Sequence, residues 1–186
     1  MANDDAAAIA RLKAELAAAR ARLAELEARI DVDPLLDVRN RQGFERELAR
    51  SLAQIKRYGG EAALVYIDLD DFKAVNDRHG HAAGDALLKA VANQLSARVR
   101  ASDVVGRLGG DELAVLMWNV DAAQAGIRAL DLETIVAGVD VGRGAARLSV
   151  GASAGVVPLA GMDTPAQAID AADKAMYARK RVKRGE

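Results

Sequence analysis

An α+β fold, with helices flanking a largely antiparallel sheet, is predicted by three features of the sequence. Ala62 to Ile67 is a nearly continuous apolar run ending at Asp68, the pattern of a central strand buried on both faces. Val104-Val105 and Leu113-Ala114-Val115-Leu116-Met117 are β-prone runs joined through Gly109-Gly110, which reads as a hairpin because glycine supplies the positive φ of a tight reversal. Apolar residues at helical spacing separate these runs. Strands interleaved with helices, one strand pair being a hairpin, lead to a ferredoxin-like palm.

Taken in order, the chain opens with Ile9, Leu12, Leu16, Ala19, Leu23, Leu26 and Ile30, alternating steps of three and four that define a heptad repeat. With Ile9 at position a, a parallel dimer pairs Glu15 with Arg20 and Arg22 with Glu27, whereas an antiparallel one sets Arg20 near Arg20. Residues 1–32 are therefore expected to form a parallel coiled-coil dimerisation helix. The alternative is a helix that packs on its own domain. Pro34 re-aims the chain and opens a second unit over 33–186. Phe44, Leu48, Leu52 and Ile55 mark a helix that Gly59-Gly60 stops. After the first strand, a turn region carrying Asn76, His79, Gly80, His81, Gly84 and Asp85 leads into a helix with Leu88, Val91, Ala92, Leu95 and Val99 on one face. The hairpin follows, and Asp121 with Gln124 forms a capping box for the next helix. Leu148 to Val157 reads as a strand whose Gly151, Ser153 and Gly155 leave a small-residue face for close packing. Thr164-Pro165-Ala166-Gln167 joins a capping box to proline at the first helical position and starts the last helix. That helix ends in Lys174, Arg179, Lys180, Arg181, Lys183 and Arg184, cations at the favourable end of its dipole.

Composition narrows the function. The 186 residues suit one core plus an appendage. A net charge of −1 and an aromatic content of 3% argue against a nucleic-acid ligand, which needs basic surface and stacking platforms. The absence of cysteine excludes disulfides and thiolate metal sites and fits the cytoplasm. No membrane span is expected, because Arg11, Lys13, Glu15, Arg20 and Arg22 interrupt the apolar stretch near the start.

Asp111-Glu112 follows the glycine pair directly. Two adjacent carboxylates beside backbone without side chains suit one task, holding a divalent cation against the phosphates of a closely approaching nucleotide. A solvated acidic turn is the alternative. Asp68, Asp70 and Asp71 gather where the first strand emerges.

With these carboxylates placed, residues 33 to 184 resemble a GGDEF domain, the family of diguanylate cyclases. Its opening pattern is matched by Asp33, Leu35, Asn40 and Arg41. Asp68, Asp70, Phe72, Lys73, Asn76, Asp77, Gly80, His81, Gly84 and Asp85 match the next, Gly109 to Leu113 the signature, and Ala172 to Tyr177 with Lys180 and Arg184 the last. Leu36 and Asp37 depart from a usual threonine and glycine, Leu113 from phenylalanine, and Lys183 from glycine. The resemblance implies condensation of two GTP into cyclic di-GMP with release of pyrophosphate, on two magnesium or manganese ions per half-site, in a homodimer.

By the same resemblance Asp68, Asp111 and the backbone of Leu69 are the metal ligands, and Gly110 lets the nucleotide approach the turn. Glu112 completes the metal site or helps remove the ribose proton, two roles the sequence leaves open. Asn76 and Asp85 select the base beside Phe72 and Lys73, because guanine offers N–H groups to a carboxylate where adenine presents an acceptor. An exposed basic face or a helix N-cap at Asp85 are the plainer readings. Lys73, Lys180 and Arg184 hold the outer phosphates. Arg100 and Asp103, the latter separated from Gly109 by five residues, match the family's inhibitory product site; of the arginine that often supports it, Arg128 is near, but Asp131 falls closer to the expected position. The rival reading is a silent cyclic di-GMP-binding sensor module.

Overall fold

A computed structural model describes residues 11–13, 15–16, 31–142 and 147–185. Leu12 and Leu16 lie in helical backbone, largely exposed, and Arg11 Nε donates to Glu15 Oε1 across one turn at 2.9 Å. The other expected seam positions, Ile9, Ala19, Leu23, Leu26 and Ile30, and the charges Arg20, Arg22 and Glu27 lie outside the described residues. Among the described residues no helix is long and apolar enough to cross a membrane.

The order of elements is α1 (Arg41–Tyr58), β1 (Ala62–Asp70), α2 (Phe72–His79), α3 (His81–Arg98), β2 (Val104–Arg107), β3 (Glu112–Trp118), α4 (Ala122–Ala137), β4 (Gly151–Pro158) and α5 (Pro165–Arg184). The four strands form one sheet in the order β2-β3-β1-β4, every pairing antiparallel. That is the βαββαβ arrangement of a ferredoxin-like palm, with α1 and α5 added.

Strand alternation explains the layers. Ala63, Val65, Ile67 and Leu69 point into a core shared with Leu88, Val91 and Leu95 of α3 and Ala129, Leu132 and Val136 of α4. Ala62, Leu64 and Tyr66 point the other way, against Phe44 and Leu48 of α1 and Ala172 and Met176 of α5. β1 is central and buried on both faces, as its apolar run predicts. Gly155 is what admits α5: a Cβ there would lie 2.0 Å from the Met176 nitrogen and 2.4 Å from the Ala172 carbonyl oxygen.

Caps agree with the sequence reading. Asn40, Asp121 and Thr164 each accept from the backbone N–H three residues on, and Gly59, at φ 75°, returns its N–H to Ile55 O. Gln167 departs from a strict capping box by accepting from Asp163 N at 3.0 Å. Asp37 holds φ 54°, the left-handed conformation that explains why glycine is usual at this position. Leu36 and Leu113 are buried.

Four expectations are corrected. The turn region after β1 is helix α2, ended by Gly80 at φ 83°, and α3 begins at His81 with Gly84 and Asp85 inside it. Only Phe72 is buried on α2, so no apolar stripe revealed it. Asp85 is therefore no N-cap, because the cap position falls to Gly80. β4 starts at Gly151, with Leu148 making only an isolated bridge to Val141. Finally, neither Gly109 nor Gly110 has positive φ, so the hairpin uses these glycines for space.

Candidate active site

The reversal between β2 and β3 closes with Leu108 and Gly109 N–H groups on Glu112 O, at 2.8 and 3.3 Å. A Cβ at Gly109 would meet Glu112 Oε2 at 2.0 Å, so this glycine makes room for a carboxylate folded back over the turn. Gly110 has nothing within 4 Å of a Cβ position and leaves the turn open to an approaching molecule. Three consecutive carbonyls are held by arginines. Arg41 Nε donates to Leu108 O at 2.7 Å, and Arg107 donates to Gly109 O at 2.9 Å and Gly110 O at 2.7 Å. Arg107 is in turn paired with Asp33, 3.3 Å away. Sequence reasoning gave Arg107 no role, since an arginine near a strand end carries no local signal.

β1 delivers the other acids. Asp68 stands opposite Glu112 on β3 and Ser153 on β4, and Leu69 N–H donates to Asp111 O at 3.3 Å. Alternation places Asp68 and Asp70 on the face of Leu64 and Tyr66, toward α5. Lys180 of α5 donates to Asp68 Oδ1, and Ser153 Oγ to Asp70 Oδ1 at 2.9 Å. Burial pushes the Asp68 pKa above its ordinary 3.8, Lys180 opposes this, and the Asp111 and Asp70 carboxylates add to it. Tyr66, also without a role in the sequence reading, is pushed above its ordinary pKa by burial and by Glu112, to which its hydroxyl donates. Tyr66 thus holds Glu112, and the missing Cβ of Gly109 leaves the carboxylate room over the turn.

No group of three or more His, Asp or Glu side chains converges among the described residues. Two carboxylates, Asp68 and Asp111, are close enough to raise the charging cost of one of them, the condition a cation relieves. Magnesium is commonly held by one or two carboxylates together with substrate phosphates, so the donor set fits it.

A cavity of about 370 Å³ opens beside the turn. It brings Phe72, Lys73 and Asn76 of α2 and Asp85 of α3 together with Gly110 and Asp111, with Asp77 and His81 on its wall. Its shape depends on Gly84, where a Cβ would fall 1.9 Å from Asn76 Oδ1. Asp71, at φ 56°, turns the chain from β1 into α2. Lys180 and Arg184 do not line this cavity: Lys180 sits on Asp68, and Arg184 Nη2 is 3.4 Å from Asp71 Oδ1. Lys183 leaves the helix unbroken as far as Arg184.

Arg100 and Asp103 stay together. Both line a second cavity, of about 650 Å³, with Val99 and Ala101. The Asp103 side chain has no exposed surface; it accepts from Arg100 N at 3.0 Å, Trp118 N at 3.1 Å and Arg128 Nη2 at 3.4 Å. These bonds fasten the turn that carries Arg100. Arg128, rather than Asp131, is the α4 residue that reaches it.

Comparison with known proteins follows the same lines. Residues 30–186 match the family model described as diguanylate cyclase, GGDEF domain. The chain is 38% identical over 160 residues to the diguanylate cyclase TpbB of Pseudomonas aeruginosa, covering 82% of this chain and 36% of that protein. To DgcP, a diguanylate cyclase of the same species, it is 35% identical over 153 residues, covering 82% and 23%. It therefore spans well under half the length of these relatives. A sensory box/GGDEF family protein from Caulobacter crescentus superposes with TM-score 0.76 at 34% identity, over 82% of this chain and 99% of that one. The coiled coil and GGDEF domain of Caulobacter crescentus DgcB, solved with c-di-GMP, gives 0.76 at 27% identity, over 94% and 93%.

Proposed function

Because the chain belongs to the GGDEF family of diguanylate cyclases, we propose that it condenses two GTP into cyclic di-GMP in a homodimer. Each 3′-oxygen forms a bond to the α-phosphorus of the other nucleotide, and each nucleotide loses pyrophosphate. The observation that supports this most is the cavity joining Asn76 and Asp85 to Gly110 and Asp111. A base held between α2 and α3 directs its phosphates across the open face of Gly110 toward the acids.

Magnesium or manganese bound by Asp68 and Asp111, with the Leu69 backbone, would supply charge neutralisation at the phosphates and a lowered pKa for the attacking hydroxyl. The chain's residues do the remainder by positioning, which carries most of the catalysis in phosphoryl transfer. Asp85 and Asn76 orient guanine, Phe72 and Lys73 close over it, and Lys180 and Arg184 of α5 move from Asp68 and Asp71 to the outer phosphates. Glu112, held by Tyr66 and given room by Gly109, completes the metal site or helps remove the ribose proton.

Arg100 and Asp103 are proposed to read a bound cyclic di-GMP, with Arg128 paired to the Asp103 carboxylate. Residues 1–32 are proposed to raise the local concentration of the second half-site as a parallel coiled coil. The test of the reading is base choice. Wild type is expected to consume GTP and leave ATP untouched, and Asp85→Asn to lose about 100-fold or more in kcat/KM for GTP. A wild type that turns over ATP as readily as GTP would contradict it. Binding of cyclic di-GMP with no turnover of GTP would favour the sensor module.

A further inference from the structure

Outside the acids, the nucleotide cavity and the Asp103 turn, the structure buries a carboxylate, Glu133, among charged partners. Glu133 lies on α4, yet it reaches past the edge strand β4 to the opposite layer. Its Oε1 accepts from Ala154 N at 2.8 Å, on the free edge of that strand. The same carboxylate accepts from Arg179 Nε at 3.2 Å and Nη2 at 3.0 Å, and is 2.9 Å from Lys183 Nζ. Lys183 also donates to Ala152 O of β4. Its place in the clasp gives a use to the lysine that stands where the family usually has glycine.

Arg179 and Lys183 are one turn apart and share a face of α5, while Lys180 projects about 100° away from Arg179. Gripping that face fixes the helix rotation and thereby the direction of Lys180. We propose that Glu133 is a positioning residue: by clasping Arg179 and Lys183 across the edge of β4, it aims Lys180 at the acids and the outer phosphates. This rests on the nucleotide reading above.

The test uses the full chain and its Glu133→Gln, Lys180→Ala and double variants. Gln keeps an acceptor for Ala154 N–H and removes the charge. The probe is 3′-deoxy-GTP with magnesium, which binds as GTP does and has no 3′-hydroxyl to react. Glu133→Gln is expected to weaken its binding about tenfold, and to raise KM for GTP by more than it lowers kcat, with the melting transition still well above assay temperature. In the Lys180→Ala background the same substitution is expected to change binding less than about twofold, because coupled residues are non-additive. Lys183→Met should give a smaller loss in the same direction. Hydrogen exchange at residues 179–184 should quicken in Glu133→Gln. Equal losses in both backgrounds, or an unchanged Kd, would overturn the proposal. If wild type binds no 3′-deoxy-GTP, the nucleotide reading fails and exchange at residues 179–184 alone decides whether Glu133 holds the helix.

Discussion

At the scale of single residues, the signature turn shows glycines selected for different reasons. Gly109 yields space to Glu112 Oε2, the far end of a flexible side chain, so Gly109→Ala costs little folding energy and displaces the carboxylate. Activity should fall about tenfold or more while the melting temperature stays within about 2 °C, a shift corresponding to under ~1 kcal/mol for a domain of this size. Asp68 shows the opposite tension between fold and site. Its raised pKa means that the ionised form is penalised in the fold, so stability falls as pH rises from 3.8 through the folded value. Asp68→Asn is therefore expected to raise the metal-free melting temperature by a few degrees and to abolish turnover. Adding magnesium should stabilise wild type and leave the variant unchanged; thermal melts with and without the ion check both.

At the scale of elements, the placement of α5 decides whether its cations meet the acids. Gly155→Ala would press a methyl into the backbone of Met176 and Ala172 and should cost several kcal/mol, on the order of an overpacked core, read as a large loss of melting temperature or soluble protein. The Glu133 clasp adds an electrostatic component. Burial raises the Glu133 pKa, but Arg179, Lys183 and Ala154 N–H outweigh it, and the net shift is below the ordinary 4.5. A depressed acid contributes stability above its unfolded pKa and loses it as pH falls through the folded one. The stability gap between wild type and Glu133→Gln should thus be full near neutrality and close below about pH 4.5. The elements also show what a sequence makes legible. Strand β1, the hairpin and the caps were readable because apolar runs and capping residues act locally. Helix α2 was not, since seven of its eight residues lie outside the buried core and packing against α3 rather than a stripe holds it. The motif residues Asn76, Asp85 and Asp111 were legible, but the roles of Arg107, Tyr66 and Glu133 arise from contacts across the sheet that no spacing encodes.

At the scale of the whole molecule, the cavity beside Gly110 and Asp111 is proposed to hold a single nucleotide, and the proposed reaction needs two nucleotides face to face. Removing residues 1–30 should make specific activity strongly dependent on protein concentration, and unchanged activity at nanomolar protein would exclude a coiled coil as the dimerising device. The central claim is that this fold joins two GTP through the acids of β1 and the turn. It is tested most directly by incubating wild type and Asp111→Asn with GTP and magnesium, following pyrophosphate release and product mass. The account predicts cyclic di-GMP with two pyrophosphates per product from wild type and none from Asp111→Asn. A product of any other mass, or equal turnover by Asp111→Asn, would contradict it.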